Sequence, residues 1–148
     1  MNRHGVLICG GGLLLVGLGV VTLLQRPWKQ SRTITEAVMR NDVEFVRSWA
    51  GDVNQVIDGE HLLDIATGPK GGVAVVRELL RKGANPDGDG LGYSPLMNAA
   101  SWLGAESVRL LLDAGADVRF MSDGMRAIDV IGRGGSEDLV RELLLKRQ

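Results

Sequence analysis

The stretch GYSPLMNAASWLGAESVRLLLDAGADV, residues 92–118, reads as two short amphipathic helices joined by a tight turn. Leu96, Ala99 and Ala100 fall on one face of the first, and the small side chains there let it lie close to a neighbour. Val108, Leu111 and Leu112 give the second helix an apolar stripe, and Gly115 supplies the left-handed residue that ends it. Ala116, Asp117 and Val118 then lead into a polar connection that closes on Asp123 and Gly124, a turn signal. Neither helix is long enough to persist alone in water, so such a unit must stack on others like it to bury its apolar faces.

The neighbouring sequence supplies the others. GEHLLDIATGPKGGVAVVRELLRKGAN upstream and GMRAIDVIGRGGSEDLVRELLL downstream repeat the pattern, with Leu63, Leu96 and Ile128 in register 33 and 32 residues apart. ITEAVMRNDVEFVRSWAGDVN is a shorter first copy, with Ala37 opposite Ala66 and Ala99. These residues resemble the ankyrin repeat family, whose signature runs Gly-x-Thr-Pro-Leu-His-x-Ala-Ala, then a Leu-rich second helix, then Gly-Ala-Asp-Val-Asn. Here Ser94 stands for the Thr and Met97 for the His, while Pro95, Leu96, Ala99, Ala100 and Gly115, Ala116, Asp117, Val118 match. The resemblance runs from Thr33 to the C-terminus. It implies an all-α fold, an ankyrin-type helical repeat solenoid of about four repeats spanning residues 33–58, 59–90, 91–122 and 123–148. Asp64 and Asp129 depart from the family at its His position, Ala127 replaces its Pro, and an extra residue between Gly68 and Gly72 should bulge the loop of the second copy. Trp49 falls at the family's second-helix Leu position and is expected in the core. The last copy, ending in Lys146, Arg147 and Gln148, is expected to close the stack with a water-facing surface.

Upstream the composition changes. Residues 5–24 are twenty in a row without a charge, and as a helix they would reach roughly 30 Å, the thickness of a bilayer's hydrocarbon core. Arg26, Trp28, Lys29 and Arg32 follow, where cations and an indole suit the headgroup region. This predicts a short tail at 1–4, an N-terminal transmembrane helix (a signal anchor) at 5–24, a juxtamembrane linker at 25–32 and the repeat domain at 33–148. A cleaved signal peptide would want a small-x-small motif where Gln25, Arg26 and Pro27 stand, and lipidation of Cys9 would want a small residue in place of Ile8. Gly10 and Gly17, like Gly12 and Gly19, recur at seven residues but form no Gly-x-x-x-Gly pair, and GGGLLLVG lacks the third spaced glycine of a dinucleotide loop. Arg26, Lys29 and Arg32 outweigh Arg3, which favours a cytoplasmic repeat domain. A very short tail before a large exported domain is also a common signal-anchor layout, so the expected location is a single-pass membrane protein with the side left open.

Composition narrows the function. With 17 Lys plus Arg against 18 Asp plus Glu there is no basic field for nucleic acid. Cys9 is the only cysteine and His4 and His61 the only histidines, so neither an intrachain disulfide nor a Cys/His zinc site can be built. His61, alone in the repeat part, sits at the family's Thr position at a helix start, with no nucleophile–base constellation around it. Asp58, Asp64, Asp87, Asp89, Asp117 and Asp123 lack calcium-loop spacing and read as caps and turns. The expectation is a non-enzyme with no metal, other cofactor or small-molecule substrate.

The family resemblance implies binding through the finger tips and the start of the inner helix, a surface that here includes Asp58, Glu60, Leu91 and Ser101. Its large apolar members and one cation give the expected partner-binding set: Tyr93, Trp102, Phe120, Met121, Met125 and Arg133. Trp102 either anchors a partner in the groove or folds over Leu103, which stands where the family has Gly. The resulting expectation is a membrane-tethered adaptor or stoichiometric inhibitor of an unidentified protein. The alternative is a structural subunit whose membrane anchor makes the main contacts.

Overall fold

The computed structural model describes residues 33–88, 92–132 and 137–147, together with Ile8–Cys9 and Gly12–Leu13. Strand β1 (Ile8–Cys9) pairs antiparallel with β2 (Gly12–Leu13), Ile8 opposite Leu13. These four residues fall within the span expected to be a transmembrane helix, and at them the chain pairs as a short ladder. Glycine is a poor helix former, and Gly10, Gly11 and Gly12 come together here. The rest of residues 5–24 lies outside the described residues. Among the described residues no helix is long and apolar enough to cross a membrane.

From Thr33 onward the chain builds two layers. The inner layer is α1 (Ile34–Met39), α3 (Leu62–Thr67), α5 (Pro95–Trp102) and a 3-10 turn (Ala127–Val130); the outer layer is α2 (Val43–Ser48), α4 (Val73–Arg81), α6 (Ala105–Asp113) and α7 (Glu137–Leu145). Each element packs on its own partner and on the same-layer element of the adjacent repeat, as a solenoid requires. Ala37, Ala66 and Ala99 are fully buried at the inner-helix contacts, where a methyl side chain permits close approach, and Val46, Val76, Val108 and Val140 line the outer seam. The local signals hold: Thr33, Asp42 and Ser94 cap α1, α2 and α5 by accepting from the backbone N–H three residues on, and Pro95 occupies the first turn of α5.

Side chains tie neighbouring repeats together where sequence spacing gives no hint. Asn41 sits in the left-handed region (φ 54°), and its Oδ1 accepts from Val75 N–H at 3.3 Å, capping α4 from the previous repeat. Residue 72 must be small for this, since a Cβ on Gly72 would fall 2.4 Å from Asn41 Oδ1. Asn54 donates to the Gly83 carbonyl at 3.0 Å and accepts from Asn85 N–H at 2.7 Å; Asp87 accepts from Asp117 N–H at 2.7 Å one repeat later. In the outer layer Glu78, 6 % exposed, accepts from Arg81 at 2.7 Å and lies 3.7 Å from Arg47. The Arg81 hydrogen bond, with the charges of Arg81, Arg47 and Lys82, outweighs desolvation and holds the Glu78 carboxyl below the ordinary 4.5.

Several expectations change in three dimensions. The loop of the second copy is longer, residues 68–72 against only Leu103 and Gly104 in the third, and it folds back so tightly that a Cβ on Gly71 would meet the Ala66 carbonyl oxygen at 1.8 Å. Trp49 is partly buried instead of central, because α2 stops at Ser48: Trp49 takes an extended backbone (φ −69°, ψ 128°), and its indole crowds the site where a Cβ on Gly51 would lie. In the last repeat the first helix shrinks to the 3-10 turn, since Gly132 is wedged against α5, with its N–H on the Ala100 carbonyl at 3.2 Å. Asp129, at the family's His position, accepts from Arg126 N–H at 2.9 Å and starts that turn. On the last helix Glu137, Asp138, Arg141 and Glu142 are exposed, and Leu139 among them is 39 % exposed.

Candidate protein-interaction face

The second repeat opens with an Asp-Gly hairpin. Asp58 (φ 54°) and Gly59 (φ 86°) both take positive φ, the condition for a two-residue turn whose twist matches its strands, β3 (Val56–Ile57) and β4 (Glu60–His61). Because β4 runs directly into α3, this finger holds Glu60 above the inner layer and leaves His61 as the residue that precedes the helix.

Beside the finger lies an open cleft of about 670 Å³. Gly59 and Glu60 form one rim, with Asp64, Ile65 and the Gly68, Pro69, Lys70 loop as floor and far end; Met39 closes one side and Gly92, Tyr93 and Asn98 the other. Three successive repeats thus contribute to one depression. Tyr93, directly before the α5 cap Ser94, is 38 % exposed and forms part of the wall. Trp102 is 52 % exposed, and Leu103 packs against the core. Asn98 and Trp102 are four apart on α5 and therefore share a face, which places Trp102 one turn beyond the cleft wall. Tyr93 thus lies in the cleft wall and Trp102 outside it. Acidic Glu60 and Asp64 and basic Lys70 border it, suiting a polar chain segment with one or two apolar anchors.

The structure separates the other expected site residues from these two. Phe120 and Met125 are partly buried against the core, and Met121 is 58 % exposed. They belong to the hairpin of the fourth repeat, where Ser122 and Met125 bridge around Asp123 and Gly124, and none of them lines the cleft. Asp58 is exposed at its finger tip. Arg133 and Leu91 lie outside the described residues. Ser101 is engaged internally, donating to the carbonyls of Met97 and Val130, both at 2.9 Å. Met39, Ile65, Pro69, Lys70 and Asn98 were missed by the sequence; the available signal was Asn98, one helical turn from Trp102. Among the described residues no group of three or more His, Cys, Asp or Glu side chains is placed to hold a metal ion.

A stack of helical pairs with projecting fingers and a groove drawn from several repeats defines a protein-interaction module of the solenoid class. A family model described as ankyrin repeats (3 copies) matches residues 34–122 and 63–148, and the chain belongs to the ankyrin repeat family. It is similar to the ankyrin repeat, SAM and basic leucine zipper domain-containing protein 1 of Mus musculus, 42 % identical over 82 residues, and to that of Homo sapiens, 43 % identical over 82 residues. Each alignment covers 52 % of this chain and 17 % of the relative, so the likeness concerns a fraction of those proteins. Among solved structures, the human ASB11 ankyrin repeat domain superposes with a TM-score of 0.62 at 28 % identity, covering 78 % of this chain and 52 % of that one.

Proposed function

We propose that this chain is a membrane-tethered adaptor or stoichiometric inhibitor that takes a segment of a partner protein along the cleft between the second finger and the inner helices. Tyr93 and Trp102 are the anchors, and Glu60, Asp64 and Lys70 provide polar registration. The observation that carries the reading is a cleft lined by three repeats with the exposed Tyr93 in its wall, and an exposed Trp102 one helical turn beyond Asn98 on α5. The tether rests on the uncharged run at residues 5–24 and its Arg26, Trp28, Lys29, Arg32 flank. Met121 in the next finger extends the contact where the partner is long enough, with Phe120 and Met125 supporting that hairpin and Arg133 adding a cation.

Proximity crosslinking in the native membrane, followed by capture of the full chain through a C-terminal tag, tests both parts. Tyr93→Ala with Trp102→Ala should reduce recovery of the crosslinked partner at least about tenfold, since central aromatic anchors carry about 2 kcal/mol or more. Unchanged recovery would sink the cleft assignment. Loss of recovery only when residues 5–24 are exchanged for an unrelated span would show that the anchor, not the cleft, makes the decisive contact. Carbonate extraction checks the tether, since release of the full chain into the soluble fraction removes it; protease access to the C-terminal tag then reports the side of the membrane.

A further inference from the structure

We infer that the partner segment is an extended chain carrying a Lys or Arg and an Asp or Glu about three to five residues apart, with apolar side chains between them. This rests on the cleft being the partner's seat and specifies the chemistry that the cleft selects. Charge is laid out unevenly along it. Glu60 stands on the rim just before α3, Asp64 on the floor, and Lys70 at the far end, past the last turn of α3. Glu60 and Lys70 are both exposed, and neither side chain has a hydrogen bond or ion pair among the described residues.

The finger end is uniformly acidic. Residues 50–61 and 83–94, which lead into α3 and α5, contain five Asp and Glu and no Lys or Arg. Helix α3 adds only Asp64, and α5 carries no charge. Arg40, directly after Met39, is taken by Glu36 at 2.8 Å. A cation arriving at the finger end therefore meets carboxylates, and an anion at the other end meets Lys70.

Geometry sets the spacing. Helix α3 has six residues, about 9 Å of length, and Glu60 and Lys70 lie just beyond its two ends. An extended chain advances about 3.3 Å per residue, so it passes α3 in about three residues and reaches both charges in up to about five. Between them it runs over Ile65 and Pro69, with Met39 to one side and Tyr93 to the other, a lining that suits apolar side chains. Asn98 also faces the cleft, and its amide makes no side-chain hydrogen bond among the described residues. One amide both donates and accepts, which matches the free N–H and C=O of an extended main chain; a helical segment has already spent those groups on itself.

Peptide selection by the full chain, held through a C-terminal tag in mild detergent at low salt, tests the inference. The probe is a pool of acetylated and amidated nonapeptides randomised at their central positions, with retained peptides sequenced by mass spectrometry. Peptides with opposite charges three to five residues apart should be enriched at least about fivefold over the input, as one exposed ion pair can supply. Lys70→Glu should exchange the acidic residue of the selected peptides for a basic one, a change that unfolding cannot mimic, and Glu60→Lys should weaken the preference for the basic residue at the finger end. Asn98→Ala should lower retention about fivefold without altering the charge pattern. Peptides retained through Tyr93 but without paired charges, or a pattern that Lys70→Glu leaves as it was, would overturn the inference while the cleft assignment stands. Retention that Tyr93→Ala does not change, or no retention by the wild type, would overturn both.

Discussion

Replacing Gly72 by alanine should cost a helix cap that lies 31 residues away in the chain. The backbone there is extended (φ −161°), so alanine is conformationally acceptable, and the nearest obstacle is the Asn41 side chain, whose Oδ1 and Cγ would lie 2.4 and 2.6 Å from the new Cβ. Asn41 must swing away and release Val75 N–H, and a lost N-cap costs about 1 kcal/mol. Asn41→Gly removes the same cap while suiting the left-handed backbone at 41, so it too should cost about 1 kcal/mol. The cap can be lost only once. The double variant should therefore sit about 1 kcal/mol below wild type instead of about 2, a coupling well above the ~0.5 kcal/mol scatter of independent sites. Urea unfolding of the four full-length proteins in mild detergent, compared at matched slopes, gives the cycle. Gly71→Ala serves as the contrast: its Cβ would strike the Ala66 backbone, which cannot swing away, so it should cost about 3 kcal/mol and gain nothing from Asn41→Gly. Strict additivity between positions 41 and 72 would refute the cross-repeat cap.

Other substitutions test the packing elsewhere. Ser107 Oγ is buried without a hydrogen-bond partner where the preceding repeat has Val75, so Ser107→Ala should raise the urea midpoint, with a gain of up to about 1 kcal/mol. Asn54→Ala removes two bonds to the next repeat and should lower stability by about 1–2 kcal/mol, with faster amide exchange at Asn85 as the local signature. Glu78, whose folded-state pKa is depressed by Arg81 and then by Arg47 and Lys82, stabilises the fold fully above its unfolded pKa. That contribution is lost as pH falls through the lower folded value, so the deficit of Glu78→Gln in thermal melts should be largest near neutrality and fade below the ordinary 4.5. A deficit that does not change with pH would assign the effect to packing instead of charge.

Much of the fold was legible in the sequence because its signals are local. Ser94 and Pro95 start α5 where their chemistry says they should, and Gly83 and Gly115 take positive φ just past the ends of α4 and α6. Trp49 was misjudged because register placed it on a helix that ends one residue earlier. The fourth repeat kept its second helix and lost its first, since Gly132 must pass within a van der Waals contact of the α5 terminus, a constraint set by the preceding repeat. The candidate site was half legible. The repeat register singles out Tyr93 and Trp102, both exposed, but it does not show that Tyr93 lines the cleft while Trp102, Phe120, Met121 and Met125 do not.

The sequence by itself determined the repeat period, the helix starts and stops and the class of protein, because each depends on residues within a turn or two of one another. Tertiary structure alone decided that Tyr93 shares a cleft with Met39, Ile65 and Pro69, why Asn41 needs Gly72, and that Leu139 stays exposed on α7 while Leu143 packs against the core. The physical reason is stacking: a side chain's exposure in a solenoid is set by the repeat laid against it, and no local pattern records whether one is there.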